Sequence, residues 1–198
     1  MNLELLKKHL PEDSITYLYE WLKDSSVVIQ LRANRKTKLG DYIYEPKNRL
    51  HKISINSSLK PEAFFFVLTH EIAHLIARKT YSRNIKPHGK EWKAVFRDLL
   101  LESAEIYNEE VRPLIRNHAY RPKASMAADV ALNKALFVNE EHIGNLLEGL
   151  PEGQRFRLGK RIFLKGKQRK IRYICRELKN NRSYLISGQV VVDEIIDE

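Results

Sequence analysis

The sequence predicts an α+β protein in two parts, and three patterns carry that reading. Apolar residues recur at helical spacing in the first segment and again over residues 90–107. Between them, residues 63–77 are apolar nearly all round. From 156 to 195, short apolar stretches alternate with turn signals, as in a small β fold.

The elements follow in order. Pro11 suits a helical first turn, and Ile15, Leu18, Trp21 and Leu22 follow at helical spacing. Residues 27–31 are a β-branched run and read as a strand. Lys38-Leu39-Gly40-Asp41 gives a turn into strand-like Tyr42-Ile43-Tyr44, and Ile53-Ser54-Ile55-Asn56 alternates as a half-exposed strand does. The front third therefore predicts a helix followed by a small antiparallel sheet. Pro61 opens the next helix, and the stripe Trp92, Val95, Phe96, Leu99, Leu100, Ser103, Ile106 and Tyr107 predicts a further helix packed on the core. Pro113 and Pro122 bracket a boundary, and 124–150 reads as short helices and turns. After it come strands separated by turns at Gly159-Lys160, Lys165-Gly166-Lys167, Lys179-Asn180-Asn181 and Ser187-Gly188. They predict a barrel or meander of about five strands. The division expected is a first domain over 1–120 and a mostly β module over 121–198.

Composition narrows the class. With 43% hydrophobic and 30% charged residues in 198, the chain can bury a core. Its one cysteine, Cys175, excludes a disulfide framework and a Cys-ligated zinc finger, and fits a reducing compartment. No apolar run approaches a membrane span, and Met1 to Lys8 lacks the apolar core of a secretory signal. A soluble, cytoplasmic protein with no membrane partner is expected.

The net charge of +10 is unevenly placed. Residues 153–182 hold twelve Lys/Arg and one acid, Glu177, for +11; residues 1–152 hold 23 bases and 20 acids, for +3; residues 183–198 hold four acids and no base, for −4. A block of this kind points to a polyanion, with nucleic acid the expected partner. The candidates are Arg155, Arg157, Lys160, Arg161, Lys165, Lys167, Arg169, Lys170 and Arg172, and the interleaved Phe156, Phe163 and Tyr173 are candidates to stack bases of a single strand.

The sharpest clue lies in the apolar helix, where His70, Glu71 and His74 interrupt a surface with no other polar face. Buried polar groups need partners. Histidines at i and i+4 lie on one face, one turn apart, so His70 and His74 can share a cation, and zinc suits neutral imidazole. Glu71 is displaced around the helix, where a carboxylate can take a proton from an activated water and pass it to a leaving amine. A third ligand is needed. Ala77 and Thr80 stand where the metzincin pattern requires Gly and His, which excludes that class. The remaining candidates are a carboxylate, Glu91, Glu102 or Glu105, and His88 in Lys86-Pro87-His88-Gly89. The loop before His88 is long enough to return to the helix, and Gly89 leaves room beside it. His9, His51, His118 and His142 lack metal-like spacing.

His70-Glu71-Ile72-Ala73-His74, followed after thirteen residues by His88-Gly89-Lys90-Glu91-Trp92-Lys93, resembles the SprT-like family, which includes bacterial SprT proteins and the eukaryotic protease Spartan. Leu39-Gly40-Asp41-Tyr42 and Ile53-Ser54-Ile55-Asn56 fit the sheet that leads into that family's metal helix, and the likeness covers roughly residues 10–108. It implies a zincin-like metallopeptidase domain with His70, His74 and His88 on zinc and Glu71 as general base. It implies work on DNA-attached proteins, chiefly DNA–protein crosslinks, and so a DNA-repair role with single-stranded or damaged DNA as partner, at the nucleoid in a bacterium. Many members carry a Cys-rich zinc ribbon downstream; with only Cys175, this chain must use a metal-free or different β module.

Overall fold

In the computed structural model, which describes residues 3–33, 35, 38–81, 85–123, 128–138 and 145–196, the chain divides into two units, Met1–Ala124 and Ser125–Glu198. A short 3₁₀ helix, Leu3–His9, buries Leu3 and Leu6 ahead of α1 (Ser14–Leu22). The helix begins three residues after Pro11 because Asp13 adopts a left-handed conformation, φ 60°, and the Ser14 hydroxyl donates to the Pro11 carbonyl at 2.7 Å. Leu18 and Leu22 face inward, as their spacing requires.

Three strands follow: β1 (Val27–Arg32), β2 (Gly40–Glu45) and β3 (Leu50–Asn56). The sheet is mixed, not antiparallel as the sequence predicts: β2 and β3 form an antiparallel hairpin, but β1 pairs parallel to β3. The reason is strand order. Successive strands reverse direction, so β1 and β3 point the same way, and the order β1-β3-β2 makes them neighbours. β3 takes the central place because Ile53 and Ile55 are its fully buried pair.

α2 (Pro61–Tyr81) starts at its proline and crosses the unit's middle. A helix without a polar face needs cover on all sides. β2 and β3 cover one side and α3 (Lys90–Glu102) another. The apolar stripe of α3 buries Trp92, Phe96, Leu99 and Leu100; the helix ends earlier than the stripe predicts, where the Ser103 hydroxyl donates to Leu99 O and a 3₁₀ turn, Ala104–Ile106, carries on to buried Tyr107. Pro113 is not a break. It occupies the first turn of a helix absent from the sequence reading, α4 (Arg112–Tyr120), which packs on α3.

In the second unit, α5 (Val130–Phe137) is capped by Asp129, whose carboxylate accepts from Leu132 N. Five strands then build one antiparallel sheet: β4 (Arg155–Leu158), β5 (Arg161–Arg169), β6 (Arg172–Glu177), β7 (Ser183–Ser187) and β8 (Glu194–Ile196). The order β7-β6-β5-β4-β8 is a meander with β8 added beside β4. Phe156, Phe163, Cys175 and Val192 pack with Leu147 and Leu150 on the inner face. Lys165-Gly166-Lys167 lies inside β5 and is not a turn; a side chain at Gly166 would sit 2.5 Å from Ile174 O, so the glycine marks a close approach and a shift in register with β6. Among the described residues no helix is long and apolar enough to cross a membrane.

Candidate active site

α2 delivers His70 and His74 one turn apart, and a tight turn before α3 delivers His88. That turn closes with Gly89 N donating to Lys86 O at 2.8 Å, and His88 sits at φ 58°, a left-handed conformation uncommon for a side-chain-bearing residue. A side chain at Gly89 would meet Lys86 O at 2.9 Å, so the turn requires glycine there. The result is convergence. His88 Nε2 lies 3.1 Å from His70 Nε2 and 3.0 Å from His74 Nε2. Trp92, fully buried, floors the cluster with ring centres 4.7, 5.2 and 4.6 Å from those of His70, His74 and His88.

The arrangement fits a metal ion. A ring nitrogen carries one proton or one lone pair, so His88 Nε2 cannot satisfy both neighbours by hydrogen bonding, whereas a shared cation satisfies all three. Nitrogens held tetrahedrally at roughly 2.0–2.1 Å from zinc lie about 3.3 Å apart; the observed 3.0–3.1 Å is within a few tenths of that. Burial, with His74 and His88 nearby, pushes the His70 imidazole down to about 2; burial pushes His74 down to about 4 and lowers His88. All three are therefore neutral at pH 7, the ligating form. Among the described residues they form the one group of three or more His, Cys, Asp or Glu side chains able to hold a metal.

The carboxylates weighed from the sequence lie elsewhere. Glu91 is in the first turn of α3, 4.0 Å from Lys90 Nζ; Glu102 accepts from Trp21 Nε1 at 3.1 Å; Glu105 pairs with Arg112 and Arg116 at 3.1 and 2.5 Å. None joins the three histidines.

Glu71 sits beside the cluster and is 7% exposed. Its burial and the Asp41 carboxylate push its carboxyl up to about 8, against the opposing pull of Arg35 and Lys38. Such a group holds a proton readily near neutral pH. The first residue of β2, Gly40, lies against it. Tyr42 is stacked on His74 with ring planes 4° apart, and its hydroxyl bonds His51 Nδ1 at 2.8 Å. These groups line a cleft of about 480 Å³ with Lys38, Arg78 and Lys86 at its margin. Sequence reasoning placed Gly40 and Tyr42 in the sheet but not in the site, and passed over Arg78, whose local signal is one further turn along the His70–His74 line.

The basic run separates into three groups. Lys165 is turned inward, 4% exposed, its ammonium donating to Leu150 O and, at 3.2 Å, to Glu148 O, 4.0 Å from the Tyr173 ring centre. Arg157 pairs with Glu194 at 2.7 Å, and Arg161 with Glu177 at 2.5 Å. Arg155, Lys160, Lys167, Arg169, Lys170 and Arg172 are exposed, the last four around the β5–β6 hairpin. Phe156 and Phe163 are core residues and offer no ring to a base, and Tyr173 is half-buried over Lys165. His51 and His118 are buried, and His142 lies outside the described residues.

Fold and site together define an α+β chain with a three-histidine cluster able to hold a metal ion beside a buried glutamate. Residues 12–109 match the SprT-like family, and the chain belongs to that family. It is 32% identical over 107 residues to Protein SprT of Vibrio parahaemolyticus, covering 52% of this chain and 64% of that one. Against Protein SprT of Pseudomonas savastanoi pv. phaseolicola it is 28% identical over 111 residues, covering 54% and 64%. A 43-residue stretch is 46% identical to Protein SprT of Actinobacillus succinogenes, covering 22% and 25%. The matched stretches span less than two thirds of these curated relatives. No solved structure matches the chain.

Proposed function

We propose that the chain is a zinc-dependent metallopeptidase with a zincin-like fold, acting on proteins associated with DNA. The observation that carries this reading is the convergence of His70, His74 and His88 beside buried Glu71 in an open cleft. Three histidines leave a fourth position free for water or substrate, the arrangement of catalytic rather than structural sites.

A bound zinc ion supplies Lewis acidity, polarising a carbonyl and acidifying a water. The protein's groups do the rest. In its ionised form Glu71 accepts the proton of the attacking water and delivers it to the leaving nitrogen, a transfer worth about 10²–10⁴ in rate. Trp92 closes the floor against solvent, and Gly40 lets β2 lie close against the Glu71 carboxylate.

The division of labour proposed assigns catalysis to residues 1–120 and nucleic-acid binding to 121–198. In the second part, Arg155, Lys160, Lys167, Arg169, Lys170 and Arg172 meet phosphates, and the enzyme works on DNA–protein crosslinks in the cytoplasm, at the nucleoid of a bacterial cell. The unbalanced charge of 153–182 supports this reading.

The test is cleavage of a DNA-binding protein by the zinc-loaded chain, with and without single-stranded DNA, beside Glu71→Gln. Cleavage that needs both DNA and Glu71 is expected. Cleavage that needs Glu71 but ignores DNA would leave a general peptidase, and equal activity in Glu71→Gln would sink the mechanism.

A further inference from the structure

α3 presents two unlike faces. Trp92, Phe96 and Leu100 are buried, and Trp92 floors the histidine cluster. A flanking face carries Lys90, Lys93 and Arg97, spaced i, i+3 and i+7, in one exposed line. This line forms one wall of a shallow groove. The other wall is the end of α4 and the segment after it, with exposed Tyr120, Arg121 and Lys123.

Four cations, Lys90, Lys93, Arg97 and Arg121, thus face one depression, with Lys123 at its end. Among the described residues, Glu91 lies 4.0 Å from Lys90 and Asp98 2.9 Å from Arg97, two acids against these four cations. Tyr120 is 70% exposed, the most exposed large apolar side chain of the described residues. A tyrosine packed in a core hides its ring; one left in water at a cationic groove is placed for a flat partner.

We infer that this groove binds single-stranded nucleic acid on the catalytic unit itself, with its cations along the phosphates and the Tyr120 ring stacked on a base. The inference rests on the reading that the protein meets DNA, and adds a contact separate from the basic run of 155–172. Lys90 to Arg97 covers about 10 Å of helix, enough to follow successive phosphates. A base has a π-face whatever its identity, so the groove takes the strand without reading sequence. Lys90 stands two residues from His88, so a strand held here passes beside the cleft and carries any protein attached to it to the histidine cluster.

The test is fluorescence anisotropy of the zinc-loaded full chain with labelled oligothymidylate over a salt series. Tyr120→Ala is expected to weaken binding about tenfold, with Tyr120→Phe restoring it. The double variant Lys93→Gln/Arg97→Gln is expected to reduce the slope of log affinity against log salt by about 1.4. If these variants bind as wild type while Lys167→Gln/Arg169→Gln/Lys170→Gln abolishes binding, the groove is overturned and the nucleic-acid reading of the second unit stands. If the wild-type chain does not bind at low salt, both fall. If poly-glutamate binds as tightly as the oligonucleotide and Tyr120→Ala changes neither, the groove serves an acidic protein surface and the inference is overturned.

Discussion

A side chain on Gly40 would place its Cβ 2.7 Å from Glu71 Oε1 and 2.7 Å from Val67 Cγ1. No real contact is that short, so the edge of β2 can approach the glutamate only because residue 40 has no Cβ. Val67 is buried in α2 and cannot yield, which leaves the Glu71 carboxylate to move. Gly40→Ala is therefore expected to lower kcat about 10–100-fold through misplacement of the base. The histidines are untouched, so zinc content should stay at one per chain. Paired measurements of turnover and bound metal check this; loss of zinc with loss of activity would assign Gly40 to the fold instead.

Trp92 reports on the cluster. Its ring lies 4.6–5.2 Å from the three imidazole rings, while the other tryptophan, Trp21, stacks on Phe65 and donates to Glu102. Stripping metal with a chelator is expected to change the tryptophan emission of wild type and of Trp21→Phe, but not of Trp92→Phe. Steady emission in wild type, with metal loss verified by elemental analysis, would contradict zinc ligation by these histidines.

How much of this was legible in the sequence depends on how local each feature is. His70 and His74 share a helix, so one period fixes their common face. The burial of α2 follows from its composition alone. The β1–β3 pairing is parallel because of strand order, which no local alternation encodes. Pro113 illustrates an ambiguity: the residue that ends one helix also starts the next, and here it starts α4. Gly166 carries another, since glycine serves turns and close strand approaches alike. Lys165 looks like its basic neighbours in sequence, and only the inner-face register of β5 turns it from them.

The Glu177 carboxyl is held below the ordinary range chiefly by Arg161, which donates to it at 2.8 and 2.5 Å, with Asn180 adding a bond at 2.8 Å. A carboxyl depressed on folding contributes stability that is present above its unfolded pKa and lost as pH falls through the folded value. Amide protection in β5, β6 and β7 is therefore expected to hold from neutral pH to about 4.3 and decline below it. In Glu177→Gln that acid-side decline should be blunted. Hydrogen exchange of these strands across pH 3–7 reads it, and an identical profile in the variant would remove Glu177 as the cause.

Lys165 gives the last prediction. Its ammonium donates to Leu150 O and Glu148 O from inside the second unit, over the Tyr173 ring, and burial lowers its pKa. It ties the segment before β4 to the inner face of the sheet. Lys165→Met keeps the apolar stem but leaves two carbonyls short of a donor, a cost of about 1–3 kcal/mol. Amide protection in β5 and β6, read by hydrogen exchange beside wild type, is expected to fall. Because Lys165 faces inward, the salt slope of DNA binding should not change; removing exposed Lys170 instead should lower it by about 0.7. A slope that drops in Lys165→Met, with β5 and β6 protection intact, would return this lysine to the binding surface.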